Sequence, residues 1–503
     1  MSNRPWIDRA LLAVAPGVAA KRIAARRSYE VNDAAMLELR KYEAAKTGRR
    51  NDGWSRPGSS ANAEIVSSFS GLSAGARQLI RDNGHAANAL NVIANNTIGT
   101  GIRAGFTSES DAHERMLEEL WESHVEGQSS GVGEIGGVYD RQLVAFRSIV
   151  ESGSALLRYR LRNQRGLNLP YKIEVMEPDF LATNMDGLSA ARGHRVISGK
   201  EFNAENELVR FHIYKQHPGD AQISLRGFGD ITTVNPWYMS HAFRMDRPGQ
   251  SQGASWFAPI ATTLRDLSDT RDAYQLRQKI AACYTVFLYD SEPQVGVSSN
   301  NAVTDHIEPG RVETIPAGKQ VAFASPPGVE GMADFDKAQL MTISAGLGIP
   351  YEALTGDLSE VNFLSGRMGW LAFYRNIDSW RTSVVIPKIC EREMDWFLES
   401  VAVARGERVP TRVNWVSPHR DLLDPSKEIK AMREEARLGL LSYPDMVRMR
   451  GRDPKKVIDS WARWAKEVDD RDLTFDWDPR KFSLAGNNIE EQVTQALEEG
   501  NDA

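Results

Sequence analysis

From Ser365 to about Val403 the sequence carries one nearly uninterrupted amphipathic helix pattern, and a helix of that length constrains whatever folds around it. Leu364, Met368, Leu371, Tyr374, Ile377, Val384, Ile389, Trp396 and Leu398 keep three- and four-residue steps, so one face is apolar. At about 1.5 Å per residue the segment would span about 58 Å, longer than a small globular core is wide. An elongated protomer is the natural solution. Pro387 lies inside the pattern, where it lacks a backbone donor and crowds the preceding turn, so a kink is expected near Ser383. Immediately upstream, FDKAQLMTISAGLGIPYEALTGDLSEVNFLSGR (335–367) reads as a helix through Leu340, Ile343 and Leu347 that is stopped by Gly346, Gly348 and Pro350. A polar loop follows through Gly356, Asp357, Ser359, Glu360 and Asn362, with Phe363 and Leu364 near its tip.

The rest of the chain is mixed. At 503 residues it exceeds one ordinary core, which implies two to four domains or one elongated unit. Residues 1–60 include TGRRNDGWSRPGSSANAE and read as a flexible arm. The apolar run Leu11–Ala20 is not expected to be a secretory signal, because Pro16-Gly17 breaks it, Asp8 precedes it and Lys21, Arg22, Arg26 and Arg27 follow. Helical patterns run from Ala63 to Asn96 and from His113 to His124, and a further helix covers Arg141–Glu151. Ala155–Leu161 reads as a strand, and residues 170–245 hold short alternating runs (YKIEV, RVISG, LVRFHIYK, AQISL) split by turn signals, a β-rich insertion. A helix returns over Trp256–Leu288 with charge around most of its circumference, including Arg265, Asp266, Asp269, Arg271 and Asp272. Such a helix suits a shell of similar helices, with ion pairs such as Arg265 with Asp269. Residues 305–325 return to strand-like patterning. Further on, Asp424-Pro425, Ser442 with Asp445, and Asp453-Pro454 mark three helix starts, and Gly439 and Gly451 mark stops. The acidic tail after about Val468 ends in a segment expected to be disordered.

Little in the sequence asks for catalysis. No G-x-x-x-x-G-K-[ST] loop occurs. Gly131, Gly133 and Gly136 match G-x-G-x-x-G, but a polar helix rather than an apolar strand precedes them, so the run reads as a glycine loop. Gly71-Leu72-Ser73-Ala74-Gly75 matches the nucleophile elbow, yet sits between helical patterns. His212 and His217, five apart on an expected strand, fall on opposite faces and make no metal site. Cys283 and Cys390 alone cannot form a disulfide framework or a zinc site and point to a reducing compartment. The formal charge of −6 argues against tight nucleic-acid binding through a basic surface, and no stretch is long and apolar enough to span a membrane. No catalytic residue, cofactor or metal is expected.

Several long motifs in order carry a resemblance: RDNGHAANALNVIANNTIGTGI (81–102), VMEPDFL (175–181), FHIYKQHPGD (211–220), FRMDRPGQSQGASWFAPI (243–260), KIAAC (279–283), SAGLGIPYEALTGDLSEVNFLSGR (344–367) and DPSKE (424–428). With these, the chain from about Arg22 to Trp464 resembles the lambda-type portal proteins of tailed bacteriophages, the head-to-tail connectors through which DNA is packaged. Two departures are Ser154, where an acidic residue is expected, and Phe363-Leu364, where more polar residues are usual.

The resemblance implies an α+β, elongated protomer that assembles into a ring, usually of twelve copies, around a central channel. It divides the chain into a flexible arm (1–60), the N-terminal part of a wing (61–140), a first stem helix and strand (141–165), a β-rich clip (166–252), a second stem helix (253–290), the C-terminal part of the wing (291–355), a tunnel loop (356–366), a long kinked helix (367–416), and a crown with an acidic tail (417–503). It places the protein at the capsid vertex of a virion, and in the host cytoplasm during assembly. Implied partners are further copies of the chain, double-stranded DNA sliding through non-specifically, the terminase large subunit docking at the clip, the major capsid protein and a head-tail adaptor; no membrane is implied. Ser359, Glu360, Asn362, Phe363 and Leu364 are the candidate channel residues, with Phe363 and Leu364 either facing DNA or stapling the long helix at its start. Arg265, Asp269, Arg271 and Asp272 are the candidate stem ion pairs. The alternatives are a hydrolytic enzyme of mobile-element origin, or a connector from a defective prophage or gene-transfer particle.

Overall fold

The computed structural model describes residues 17–18, 58–187, 189, 191–220, 230–283, 287–290, 319–322, 331–420, 424–476 and 478–482. The chain divides into two compact units, Met1–Ser60 and Ala61–Ala503. The first, with the expected arm, lies almost wholly outside the described residues, as do the run AQISL, most of 305–325 and the last part of the tail.

The second unit opens with two helices, α1 (Ala61–Asp82) and α2 (Gly84–Thr97), separated where the Asn83 side chain accepts hydrogen bonds from the His85 and Ala86 amides. Strand β1 (Arg103–Ser108) follows, then α3 (Asp111–Leu120), which continues as a π-helical turn over Trp121–Glu126. The glycine-rich loop leads into α4 (Val138–Ser152). Beyond it come β2 (Ser154–Leu161), β3 (Tyr171–Met176), β4 (Arg195–Ile197), β5 (Lys200–Phe202), β6 (Leu208–Tyr214), β7 (Ile231–Val234) and β8 (Met239–Phe243). They form two antiparallel sheets, ordered β3-β2-β8 and β4-β5-β6-β7.

The first sheet crosses the boundary expected at 165/166, because β2 pairs on both sides with strands of the insertion. Strand alternation explains how one sheet serves two cores. Ala155, Leu157, Tyr171, Ile173 and Ala242 join the main core, whereas Leu156, Met176 and Met239 join Leu181, Phe211, Ile213 and Val234 in a satellite core under the second sheet. The turn from α4 into β2 is tight: Gly153 has φ +92°, and a Cβ on Gly253 would lie 1.9 Å from the Gly153 carbonyl oxygen. Two backbones touch there, and Trp256 N donates to Val150 O at 3.0 Å beside them.

Helix α5 (Ala261–Cys283) is shorter than the span expected from sequence. It starts five residues later, and Phe287 and Leu288 belong instead to β9 (Phe287–Asp290), which pairs antiparallel with β10 (Lys319–Ala322). A short apolar run carries no periodicity that separates strand from helix, and here the pairing partner decides. Helix α6 (Met332–Leu347), the short α7 (Tyr351–Thr355) and α8 (Phe363–Trp380) come next. The long helix is one continuous rod in three parts: α8, a π-helical segment over Arg381–Cys390 containing Pro387, and α9 (Glu391–Arg405). The expected disturbance at Ser383 thus takes the form of widened turns. Ser383 Oγ donates to Ser379 O at 2.6 Å, Thr382 Oγ1 to Asp378 O at 2.8 Å and Ser240 Oγ to Lys388 O at 2.6 Å, which satisfies carbonyls in and around that segment.

Strand β11 (Thr411–Val416) returns to pair antiparallel with β1, closing the body. The three C-terminal helices, α10 (Pro425–Arg437), α11 (Tyr443–Met449) and α12 (Pro454–Asp470), begin at the caps read from sequence, with Asp424, Ser442 and Asp453 accepting from first-turn amides. Gly439 and Gly451 adopt left-handed φ of 73° and 67° where α10 and α11 end.

Two fully buried charges lock α4 to α9. Arg141 Nη2 lies 2.8 Å from Glu393 Oε2, with both side chains at 0% exposure. Arg141 Nε also donates to Glu393, and Nη1 donates to Ser130 Oγ at 2.9 Å and Gly136 O at 2.7 Å. Removing one member of such a pair strands the other charge in the core. We expect Glu393→Ala to lower stability by about 3–5 kcal/mol, and Arg141→Met combined with Glu393→Leu to be less harmful than either single change. Denaturant midpoints measure this, and a loss under about 1 kcal/mol for Glu393→Ala would contradict the assignment.

Candidate functional site

The loop between α7 and α8 is held from three sides. Gly348 (φ +70°) ends α6, and Asn376 Nδ2 of α8 donates to its carbonyl at 2.9 Å. Asn88 of α2 donates to the Ala353 and Leu354 carbonyls at 2.9 and 2.8 Å, fixing α7. From Gly356 the chain is exposed through Glu360. Within it Asp357 Oδ1 accepts from Ser359 N at 3.0 Å and Ser359 Oγ at 2.6 Å, and the hydroxyl bond first of all holds the Asp357 carboxyl below its usual range. Glu360 pairs with Lys337 of α6. Asn362 Oδ1 accepts from Ser365 N at 2.8 Å and is the N-cap of α8. Ser359, Glu360 and Asn362 are therefore brought together on one exposed loop; Phe363 and Leu364 open α8, and their side chains lie outside the described residues.

The stem candidates separate. Arg265 Nε and Asp269 Oδ2 face each other at 3.9 Å on the exposed side of α5, a pair that contributes little in water. Arg271 instead reaches Asp336 of α6 at 2.9 Å, with Nη1 3.0 Å from His85 Nε2, a contact that its spacing along α5 could not reveal. Asp272 is exposed. Leu264 and Leu267 are buried, whereas Leu276, farther along, is 58% exposed.

Sites the sequence raised and set aside resolve as packing. Gly71–Gly75 lies inside α1, without the strand-to-helix turn an elbow needs. The loop at Gly131–Gly137 wraps Arg141: Gly136 supplies its carbonyl, and a Cβ there would lie 1.7 Å from Gln128 Oε1. His212 is buried on β6 with Nε2 3.0 Å from Glu201 Oε2. His217 is not on that strand, which ends at Tyr214; it joins Glu177 and Asp179 in a cluster of possible metal ligands. The Arg77 guanidinium already occupies that cluster, 3.0 Å from Glu177 Oε2 and 3.2 Å from Asp179 Oδ1, so the carboxylates have their cation. Cys390 is buried, and burial pushes its thiol well up, which makes it unreactive. Among the described residues no helix is long and apolar enough to cross a membrane.

A cavity of about 680 Å³ separates the second sheet from the π-helical segment. At its base the Lys200 ammonium donates to Ser251 O and lies 3.0 Å from His241 Nδ1. Burial, helped by Lys388, pushes Lys200 down to about 7. No sequence signal marked it, since a lysine on a three-residue strand normally points outward.

Arg381 in the rod is buried, donating to Thr97 O at 2.7 Å and Asn96 O at 3.0 Å, and burial with nearby Arg420 brings it down to about 10. It ties the rod, just past the end of α8, to the end of α2.

Comparison with known proteins adds an independent line. The model of the family described as phage portal protein, lambda family, matches residues 47–381. The chain is similar to the probable portal protein of Halomonas phage phiHAP-1, 24% identical over 452 residues, 83% of this chain and 85% of that protein. It is similar to the portal protein of Escherichia phage N15 as well, 21% identical over 471 residues, 82% and 87% of the two. Among solved structures, a chain in the neck of an empty gene transfer agent particle aligns over 80% of this chain and 96% of its own length, with 14% identity and a TM-score of 0.44.

Two outcomes follow from this geometry. Between pH 7 and 9 the unfolded chain keeps a proton on Lys200 that the folded chain releases, so this group makes stability rise with pH across that window. Lys200→Met should flatten the rise, measured as denaturant midpoints at pH 7, 8 and 9; parallel profiles would refute it. Asn362→Ala should speed amide exchange at Ser365 about fivefold, the equivalent of about 1 kcal/mol of capping, while Asn362→Asp keeps the protection.

Proposed function

The chain belongs to the lambda family of phage portal proteins, and from that premise we propose how its parts serve a portal. It is a portal protein, the head-to-tail connector of a phage or phage-type particle. Copies close into a ring, which we take to be of twelve, at the capsid vertex. Double-stranded DNA enters during packaging and leaves on ejection through the channel. The terminase large subunit docks on the clip, a head-tail adaptor replaces it later, and the major capsid protein surrounds the wing; assembly takes place in the host cytoplasm. Residues 61–140 and 291–355 form the wing, 141–165 and 253–290 the stem, 166–252 the clip, 356–366 the tunnel loop, 367–416 the long helix and 417–503 the crown. The protomer needs no catalytic residue, because the motor is a separate protein.

One observation carries the channel reading: an exposed polar loop, Asp357–Asn362, is mounted on a helix end whose supports α2, α6 and α8 are cross-tied by buried or half-buried hydrogen bonds. A constriction that grips and releases a moving duplex needs a soft tip on a rigid base. Charge supports the same reading. With a formal −6 per chain, phosphate neutralisation is weak overall, so contact with DNA stays transient and independent of sequence. The ring is supported by large apolar side chains left in water on different helices, Phe335 and Met341 on α6, and Met368 and Leu371 on α8. Two dissimilar faces of one protomer that bury each other generate a closed ring when the rotation closes.

Purified protein should elute as a large assembly and show rings by negative stain; an active monomer would overturn the reading. Deleting Ser359–Leu364 should leave the rings intact yet reduce packaged or retained DNA at least tenfold in a packaging assay. Unchanged packaging would remove the loop from the channel.

A further inference from the structure

A groove of about 720 Å³ beside β2 has no part in the roles above. Strand β8 pairs with β2 only from Ser154 to Arg158, because the chain reaches β8 through the turn Pro236–Tyr238. On its other side β2 stays paired with β3 as far as Leu161, and Arg162 N then donates to Pro170 O at 2.8 Å. Successive residues in an antiparallel ladder turn their amide groups to opposite neighbours. Arg158, Arg160 and Arg162 therefore bond toward β3, and Tyr159 and Leu161 present theirs to the groove. The strand ends in an open edge.

What surrounds that edge is specific. Its walls are Trp237, Tyr238, Leu161 and Val403, the last two 68% and 71% exposed. The floor is rigid: Trp396 Nε1 donates to Trp237 O at 2.7 Å, Tyr159 stacks on Tyr171 with centroids 5.1 Å apart, and the Tyr159 hydroxyl lies 3.1 Å from Ser400 Oγ. Three arginines share one face of β2. Arg160 is paired with Glu174, Arg162 Nη1 makes only a 3.4 Å contact with Leu161 O, and Arg158 has no acceptor among the described residues. Burial and the two neighbouring guanidiniums lower the Arg158 pKa, as expected where cations outnumber their partners.

We propose that this groove docks an extended acidic peptide as an added strand on the open edge of β2, and that the occupant is the C-terminal segment of this chain beyond Phe482. Edge amides, apolar walls and excess arginine call for a peptide with carboxylates among apolar residues. Residues 483–503 hold Glu490, Glu491, Glu498, Glu499 and Asp502, no Lys or Arg, and the apolar Ile489, Val493 and Leu497. The segment before residue 58 has the opposite character, with Lys21, Arg22, Arg26, Arg27, Arg49 and Arg50. Fully extended, the segment after Phe482 reaches about 70 Å. A nucleic acid fits less well, since a phosphate chain has no amide pattern to match a strand edge.

The test uses the full chain and a full-length variant carrying Glu490→Gln, Glu491→Gln, Glu498→Gln and Glu499→Gln. Hydrogen exchange at the Tyr159 and Leu161 amides should be at least tenfold slower in the native chain than in the variant. A labelled peptide of residues 483–503 should bind the variant saturably, at least tenfold more tightly than its Gln-substituted form, and more weakly at high salt. Adding Arg158→Glu should abolish that binding; because the peptide substitution leaves the protein intact, the result stands even if Arg158→Glu folds poorly. Equal exchange in both proteins together with no saturable binding would overturn the proposal. So would tighter binding of a single-stranded or duplex oligonucleotide, or of a peptide from residues 1–57. Ring formation is scored separately by negative stain, so failure here leaves the portal reading untouched.

Discussion

The fold turns on one buried ion pair. Arg141 and Glu393 are 252 residues apart and fully enclosed, and a charge in that position is tolerable only if every donor and acceptor is satisfied. The guanidinium spends its donors on Glu393, Ser130 and Gly136, which brings three parts of the chain to one point: α4, the glycine-rich loop and the distal half of the long helix. The loop must approach closely enough for a carbonyl to meet Nη1, which explains its glycines. A side chain at Gly131 would place its Cβ 1.7 Å from the Ile135 carbonyl oxygen, and one at Gly137 would place it 2.2 Å from that of Glu126. A sequence pattern that resembles a phosphate cradle is thus a cradle for a guanidinium.

The second constraint is the rod itself. Pro387 deletes one helical hydrogen bond, and the chain absorbs the loss by winding wider over Arg381–Cys390 rather than by ending. Neighbours make that affordable. Ser240 of β8 serves the Lys388 carbonyl, and Arg392 and Trp396, one turn apart, hold the Pro236 and Trp237 carbonyls at 2.7 Å each. The same contacts anchor the turn that leaves β2 open at its end. The proline, the π-helical segment and the groove at Tyr159 are therefore linked through one short turn.

Much of the local structure was legible in the sequence because its signals are local. Asp424, Ser442 and Asp453 cap the helices they were read as capping, since a side-chain oxygen two or three residues before a free amide needs no tertiary help. Asn362, read as a channel residue, also carries such a signal, and its cap on α8 could have been read the same way. What was hidden depends on partners distant in the chain. Phe287-Leu288 became strand because Val321 and Ala322 lie opposite. Arg271 left its own helix for Asp336, and His217 fell outside β6 because the pairing with β7 ends at Tyr214. Arg141 gave no sign, since an arginine in a helical pattern normally reads as solvent-facing.

The C-terminal helices leave apolar surface uncovered within the protomer. Helix α10 has no buried residue, and α11 and α12 bury only Val447 and Val468. Ile429, Leu438, Leu440 and Ile458 meanwhile stand more than half exposed. Short helices draw their stability from the apolar face they bury rather than from propensity. The ties to the body are ion pairs, Lys455 with Asp111 and Glu114 and Lys456 with Glu118 and Glu122, mostly in contact with water and therefore weak and sensitive to salt. Such pairs orient a module without supplying the hydrophobic stabilisation it lacks. On the proposed ring reading a neighbouring copy supplies it, and the ion pairs take a directional role: they hold the start of α12 against α3 while Ile458 and Trp461 stay exposed.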